Sequence, residues 1–370
     1  MANTASKTKP VAPNHHGHRH DAFRLALLQW YDRHQRTLPW RSLNHDNNPH
    51  RAYHVWLSEV MLQQTTVPAV MPYFVKFIER WPSIHDLAAA PQDAIMEAWA
   101  GLGYYSRARN LHQCAIRVAN DHDGQFPPDQ DALKKLPGIG EYTSAAISSI
   151  AFNRPAIVID GNVDRIIVRL HAITRPIRES KPQIRALAAD YFITDKDDGR
   201  AGDFAQAMMD LGATICTPQN PKCGLCPVMD FCAAKADGIA GAIPAKPPKT
   251  IKPLRHGIAY WIEDGQGGVL LERRPKTGML AETLGLPCSP WVEVERKTAK
   301  PLSDSPHIRH VFTHFELHLR IEKQKTQEFD LSQIGNGQFF YAQKSQIQTM
   351  GFPSLFQKAI DFAIREEITS

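Results

Sequence analysis

Along residues 21–120 the apolar positions recur every three or four residues, the period that gathers them on one face of an α-helix. Ala22 to Asp32 carries Phe23, Ala26, Leu27, Trp30 and Tyr31 on such a stripe. Tyr53–Gln64, Ala69–Trp81, Pro91–Trp99 and Arg107–Asn120 read as further helices, broken around Thr65–Pro68. Pro91 suits a helix start, where its missing N–H goes unused. The texture changes near residue 255. Gly257–Glu263 and Gly268–Arg273 read as strands around an Asp264-Gly265 turn, and His310–Ile321 alternates like one half-buried strand. Gly337–Tyr341 reads as another strand and Phe352–Glu366 as a closing helix. Between the two textures, GIAGAIPAKPPKTIKPLR (238–255) holds four prolines and four basic residues, a linker composition. The pattern predicts a multidomain α and α+β protein. A disordered tail (1–20) precedes an all-α domain (21–232), a linker (233–255) and a smaller α+β domain (256–370).

Composition excludes some classes. With 43% hydrophobic and 22% charged residues, the chain is neither wholly disordered nor collagen-like. It has no apolar run of about 18 residues, so no membrane partner is expected. The N-terminus lacks the apolar segment of a secretory signal, and a cytoplasmic location is expected. The net charge of +5 sits in the tail and the linker, so it does not by itself imply nucleic acid. Local clusters do more. Arg107, Arg109 and Arg117, and then Arg165, Arg169, Arg175, Arg178, Lys181 and Arg185, would by themselves read as solvated helix faces. Only beside the glycine turn and the cysteine loop described next do they read as phosphate contacts on DNA.

Four motifs carry chemistry. Leu136-Pro137-Gly138-Ile139-Gly140 followed by Glu141-Tyr142-Thr143 reads as helix, glycine turn, helix. Gly138 and Gly140 let the backbone turn and approach a partner, and the second helix offers free N–H groups to a phosphate. Cys216, Cys223, Cys226 and Cys232 are spaced C-x6-C-x2-C-x5-C. Without an export signal this reads as a metal or cluster site rather than a disulfide framework. Zinc sites usually pair two C-x2-4-C units, and only one such unit is present. Asp160 and Asn162 lie in Ile159-Asp160-Gly161-Asn162-Val163, by default a turn. Glu59 interrupts the apolar run Val55, Trp56, Leu57, Val60, Met61, Leu62, so burial would raise its pKa and suit it to donate a proton.

Taken together, WLSEVMLQQT (56–65), GLGYYSRARNL (101–111), LPGIGEYTSAAI (136–147), IDGNV (159–163) and the cysteine loop resemble the MutY-type adenine DNA glycosylases of the endonuclease III, helix-hairpin-helix superfamily. The resemblance covers residues 21–232. It implies an all-α helix-hairpin-helix glycosylase domain with a [4Fe–4S] cluster on Cys216, Cys223, Cys226 and Cys232. It also implies excision of adenine mispaired with 8-oxoguanine or guanine in double-stranded DNA. Glu59 matches the acid that protonates adenine, Asp160 the carboxylate that stabilises the sugar cation, and Tyr142 a supporting position. Lyases of the superfamily carry a lysine there, so Tyr142 implies a mainly monofunctional enzyme. Arg41 and Gln206 match the adenine pocket; Gln64, Thr65, Leu102 and Tyr104 match groups at the mismatch. Asp164 stands where some relatives have lysine, which weakens a DNA contact there.

GMLAETLGLP (278–287) and Phe312-Thr313-His314-Phe315 resemble the Nudix-like α+β domain with which this family reads 8-oxoguanine. Phe312, Thr313 and His314 are the implied reading residues. The glutamate-rich metal box of Nudix hydrolases is missing, so base binding without hydrolysis is expected. A monomer on nucleoid DNA is the implied state. The alternatives are an endonuclease III-like glycosylase–lyase on oxidised pyrimidines, and a catalytically silent iron–sulfur DNA-binding protein.

Overall fold

The computed structural model describes residues 15–42, 48–193, 198–245, 251–296, 307–326, 329, 334, 336–347 and 349–368. Two units interleave along the chain. One gathers residues up to Glu59, Phe126–Lys135 and Ile139–Pro247; the other gathers Val60–Gln125, Leu136–Gly138 and the chain from Pro248 onward.

The first unit is helical. Helix His15–His34 sends Phe23 and Leu27 into the core, where Phe23 meets Tyr191 edge-on at 4.8 Å. The helix begins inside the expected tail. Arg19 donates to the Phe231 carbonyl at 3.3 Å and the His20 ring packs on Tyr191 at 4.6 Å, so residues 15–20 extend the helix. Residues 1–14 of that tail lie outside the described residues. Helix Glu141–Phe152 starts at Gly140 and stops at Asn153, whose φ of 55° ends the helical run. Its buried face is small, with Ala145, Ala146, Ser148 and Ser149. Helix Ala201–Thr214 therefore packs close: a Cβ on Gly202 would come within 2.7 Å of the Ser149 carbonyl. Asp160 caps helix Gly161–Leu170 by accepting from the N–H groups of Asn162 and Val163, satisfying two of its orphan donors.

The expected linker is packed at its start. Helix Ala233–Ala236 follows Cys232 directly, Ala240 and Ile243 are buried, and the Ile243 carbonyl accepts from Arg169 Nε at 3.0 Å. Apolar burial and this buried arginine override the loose composition. Residues 246–250 lie outside the described residues.

The second unit joins helices Val67–Arg80, Ile84–Ala89, Gln92–Ala98 and Ser106–Asp121 to a sheet and the helix Ser354–Ile368. Its strands are β1 (Leu254–Glu263), β2 (Gly268–Arg273), β3 (Leu284–Gly285), β4 (Val292–Val294), β5 (His307–Val311), β6 (Glu316–Lys325) and β7 (Gln338–Gln343). They run β3-β2-β1-β6-β5, with β4 also on β1 and β7 also on β2. β1 and β6 pair in parallel from Leu254↔Glu316 to Glu263↔Lys325; β5 and β6 are antiparallel. One face, with Trp261, Leu271, Leu317 and Leu319, is buried against Leu355, Phe356, Ala359 and Ile360 of the closing helix. The other face buries Tyr260, Ile262, Leu270 and Ile334. As expected, β1 and β2 flank the Asp264-Gly265 turn, where Asp264 Oδ1 accepts from Gln266 and Gly268 N–H groups at 2.7 and 2.9 Å.

The expectation of one strand over His310–Ile321 is corrected. Two strands are present, joined by Phe312–Phe315, where the Phe312 N–H donates to the Phe315 carbonyl at 2.9 Å. The apolar–polar alternation runs through this turn because both of its aromatic rings pack together, 4.8 Å between centroids.

Candidate active site

Helix Arg51–Leu62 buries nearly every residue from Tyr53 to Met61, and Glu59 is carried in with them, 6% exposed. The Tyr142 hydroxyl donates to Glu59 Oε2 at 2.7 Å. Burial raises the Glu59 carboxyl to about 7; that hydrogen bond and Arg41 pull it down, while Asp160 pushes it further up. Burial likewise lifts the Tyr142 phenol well above its ordinary value, so it stays a donor. Asp160 is better supplied. Its Oδ1 accepts from the Asn162 and Val163 backbone N–H groups at 2.9 and 2.8 Å, and its Oδ2 from Asn162 Nδ2 at 2.7 Å. Burial raises its pKa, against those three donors and Arg165. Glu59, Tyr142, Asp160 and Arg41 thus form one electrostatic group.

Arg41 is held by a residue that sequence reading passed over. Asp210, fully buried in helix Ala201–Thr214, takes both Arg41 nitrogens at 2.7 and 3.0 Å, and also the Arg36 backbone N–H at 3.0 Å and Nε at 2.5 Å. Its signal was available: Asp210 interrupts an apolar run as Glu59 does. Gln206 is half-buried one turn earlier and donates to the Gly202 carbonyl at 3.3 Å. Gly140 opens helix Glu141–Phe152, and its surroundings are open where a Cβ would point.

The four loop cysteines line one cavity with Ile215, Pro221, Met229 and Ala240. Four thiols lining one cavity are the donor set that an iron–sulfur cluster takes. Burial, with the neighbouring thiolates, raises Cys226 to about 12 and Cys232 in the same direction, a cost that bound iron offsets. Arg169 Nη1 also donates to Cys216 Sγ at 3.2 Å. The residues fit a cluster.

A hydrogen-bonded chain leads from this loop to Asp160. Arg165 Nε donates to the Cys216 carbonyl at 2.6 Å and its Nη2 to Asn162 Oδ1 at 2.8 Å, and Asn162 in turn holds Asp160. Arg165 and Arg169 are buried, 7% and 1% exposed, so the expected phosphate contacts there are corrected. Arg175, Arg178, Lys181 and Arg185 are exposed, and Lys181 pairs with buried Asp164. Arg107 is corrected too. Its Nη1 donates to the Val60 and Met61 carbonyls and its Nη2 to those of Leu102 and Gly103, and burial lowers it to about 10. Arg109 binds the Ala281 carbonyl and Glu282, and Arg117 pairs with Asp121.

The remaining expected residues belong to the second unit. Gln64 is exposed at φ 63°, and the Thr65 N–H donates to the Leu62 carbonyl at 3.4 Å. Leu102 is buried; Tyr104 is exposed at φ 48°, and its hydroxyl meets Thr313 Oγ1 at 2.7 Å. Gly138 has φ 74°, and a Cβ there would meet Asn110 at 2.9 Å. Phe312 is half-buried against Trp291 at 5.8 Å, while Thr313 and His314 are exposed. All three line a cavity of about 450 Å³ with Tyr104, Tyr105 and Arg109.

Comparisons with known proteins match three segments of the chain. Residues 57–191 match the HhH-GPD superfamily of base excision DNA repair proteins, 216–232 the iron–sulfur binding domain of endonuclease III, and 258–362 a NUDIX domain. An adenine DNA glycosylase of Buchnera aphidicola subsp. Baizongia pistaciae is 33% identical over 307 residues, 80% of this chain and 84% of that protein. The chain belongs to the adenine DNA glycosylase family. The Mus musculus adenine DNA glycosylase is 44% identical over 233 residues, which is 61% of this chain and 45% of that protein. The chain therefore spans less than half the length of that relative. A solved thermostable thymine-DNA glycosylase is 26% identical with a TM-score of 0.51, covering 60% of this chain and 98% of its own.

The expected fold, a helix-hairpin-helix part with an iron–sulfur loop followed by a Nudix-like part, is that of this adenine DNA glycosylase family member. Its cofactor is a [4Fe–4S] cluster, which Cys216, Cys223, Cys226 and Cys232 would hold. When bound, it ties the loop together through iron–thiolate bonds. Among the described residues, no helix is long and apolar enough to cross a membrane.

Proposed function

We propose that this protein hydrolyses the N-glycosidic bond of adenine mispaired with 8-oxoguanine, or with guanine, in double-stranded DNA. One observation carries the reading: Glu59, raised to about 7 by burial, stands in one group with Tyr142 and Asp160. Adenine is out of reach in a duplex and must be flipped into a pocket. There Glu59 gives its proton to a ring nitrogen, so the base leaves neutral. As the C–N bond breaks, the Asp160 carboxylate, oriented by its three donors, stabilises the positive charge on the deoxyribose. Water adds to the sugar carbon and gives its proton to the Glu59 carboxylate, which restores the acid and completes hydrolysis. Tyr142 has no amine to form an imine, so strand cleavage is not part of the cycle.

Arg41, fixed by Asp210, and Gln206 line the adenine pocket. The N–H groups after Gly138 and Gly140 take a backbone phosphate. Gln64, Thr65 and Tyr104 enter the mismatch, whereas Leu102 is buried and packs within the protein, and Phe312, Thr313 and His314 read the base opposite adenine. The protein acts as a monomer on chromosomal DNA in the cytoplasm. Family membership supports this reading. The test is incubation with duplexes holding A:8-oxoguanine, A:G, A:C and thymine glycol, with base release and strand cleavage scored separately. Adenine release from the first two without cleavage is expected. Cleavage at thymine glycol would replace the reading with a glycosylase–lyase acting on oxidised pyrimidines.

A further inference from the structure

Two non-glycine residues with positive φ line the 450 Å³ cavity in the second unit, Tyr104 at 48° and Leu280 at 54°, and a third, Glu282 at 59°, follows two residues after Leu280. The left-handed region costs an ordinary side chain free energy, and such residues persist only where their surroundings hold them. Two of the three lie in one loop, from Gly278 to Thr283. Its own hydrogen bonds account for part of its shape. The Glu282 N–H donates to the Pro275 carbonyl at 3.1 Å, Thr283 Oγ1 to the Leu280 carbonyl at 2.7 Å, and Arg274 Nε to the Met279 carbonyl at 3.1 Å.

The outside hold is Arg109, from the first turn of helix Ser106–Asp121. Its Nη1 donates to the Ala281 carbonyl at 2.8 Å, and its Nε stands 3.3 Å from Glu282 Oε2. Both side chains are about three-quarters covered, at 23% and 24% exposure, so the pair is only partly screened by water. Gly278 to Ala281 line the cavity beside Tyr104 and Thr313, whose hydroxyls meet at 2.7 Å. The helix that carries Arg109 begins directly after Tyr104 and Tyr105.

We infer that Arg109 and Glu282 form a positioning clasp that keeps the strained Gly278–Thr283 loop against this helix, and so set how selectively the cavity accepts the base opposite adenine. The inference rests on the proposed base-reading role of that cavity. Neither residue touches the reacting atoms. A glycine at 282 would relieve the backbone but remove the carboxylate. Glutamate, strained as it is there, is explained by its partner.

The test uses the full-length, cluster-loaded protein in five forms: wild type, Arg109→Glu, Glu282→Arg, the charge-reversed double variant, and Glu282→Gly. Two quantities are read. One is hydrogen–deuterium exchange of the peptide spanning residues 278–284. The other is the ratio of single-turnover excision on A:8-oxoguanine to that on A:G. Each charge-reversed single variant should speed loop exchange and lower the ratio about fivefold, roughly 1 kcal/mol. The double variant should restore both quantities. Glu282→Gly should fold normally, exchange faster and lose selectivity, which separates the missing carboxylate from backbone damage. Unchanged loop exchange in the single variants, an unchanged ratio, or no recovery in the double variant would overturn the clasp. A wild type with no preference for 8-oxoguanine would instead reject the base-reading role. The clasp would then stand or fall on the exchange data alone.

Discussion

Glu59 and Asp160 differ in hydrogen-bond supply, and that difference assigns their work. Glu59 sits among apolar side chains, and burial there outweighs the single Tyr142 hydroxyl donated to it, so its proton is retained to about pH 7. Asp160 has three N–H donors, which favour its charged form. Glu59→Gln should lower adenine release by at least about a hundredfold while mismatch binding persists, as gel-shift and single-turnover assays would show; near-normal turnover would remove Glu59 as the acid. The wild-type single-turnover rate should be flat below pH 7 and fall above it, as the acid form is lost. Stability follows the same sign. A carboxyl raised from 4.5 to about 7 by folding contributes stability fully below 4.5, and that contribution is lost as pH rises through 7. Glu59→Gln should therefore melt higher than wild type at pH 8, with the gap closing by pH 5.

At the scale of elements, buried charge ties helices and loops together. Asp210 lets helix Ala201–Thr214 hold both Arg36 and Arg41, and Asp210→Asn leaves those guanidinium groups underpaired. A cost of about 3 kcal/mol is expected by urea denaturation; a change within about 0.5 kcal/mol would mean that water replaces the carboxylate without penalty. The cluster loop is the second tie. Purified protein should be yellow-brown, and colourless protein carrying one zinc per chain after anaerobic purification would refute the cluster. Both ties show what was legible in the sequence. Cysteine spacing pointed to a metal or cluster site because ligand geometry constrains it directly. Glu59 stood out as an acid in an apolar run. Asp210 carried the same mark, but no familiar motif surrounds it. Arg107, Arg165 and Arg169 read as DNA contacts because a sequence shows charge and not where the charge points. Their nearby carbonyls are brought together only by folding. Arg165 and Arg169 are nonetheless flanked by Ile166, Ile167, Val168 and Leu170, a hint that their helix is buried all round.

For the whole molecule, the correction of the basic stretches redraws the expected DNA footprint. Of the nine residues read as phosphate contacts, Arg117, Arg175, Arg178, Lys181 and Arg185 remain exposed. Arg185, which holds Glu141 at 2.6 Å on the first turn after Gly140, stands nearest the helix N-terminus proposed to take a phosphate. Arg185→Ala should weaken binding to matched and mismatched duplexes alike and lower the slope of log K against log salt by about 1. An unchanged slope would take Arg185 out of the footprint. The helical and α+β textures were readable from periodicity, because each side chain reports its own face. The turn at Phe312–Phe315 was not, since apolar residues continued the alternation through it.

The interleaving of the two units bears on how the chain is made. Residues 60–125 leave the ribosome early, yet their unit also needs β1 and β6, and β6 ends at Lys325. At elongation rates of about 5–20 residues per second the wait is on the order of 10–40 s. The early helices can close on one another meanwhile, as Phe77 does on Trp81 and Trp99, but the sheet cannot form. The parallel pairing of β1 with β6 lengthens the delay, because no tight hairpin can join those strands. The strands of such a chain, rather than its early helices, are what aggregation and chaperones can reach while β6 is awaited. Its helical first unit, whose last stretch is complete by Pro247, is free to settle much sooner.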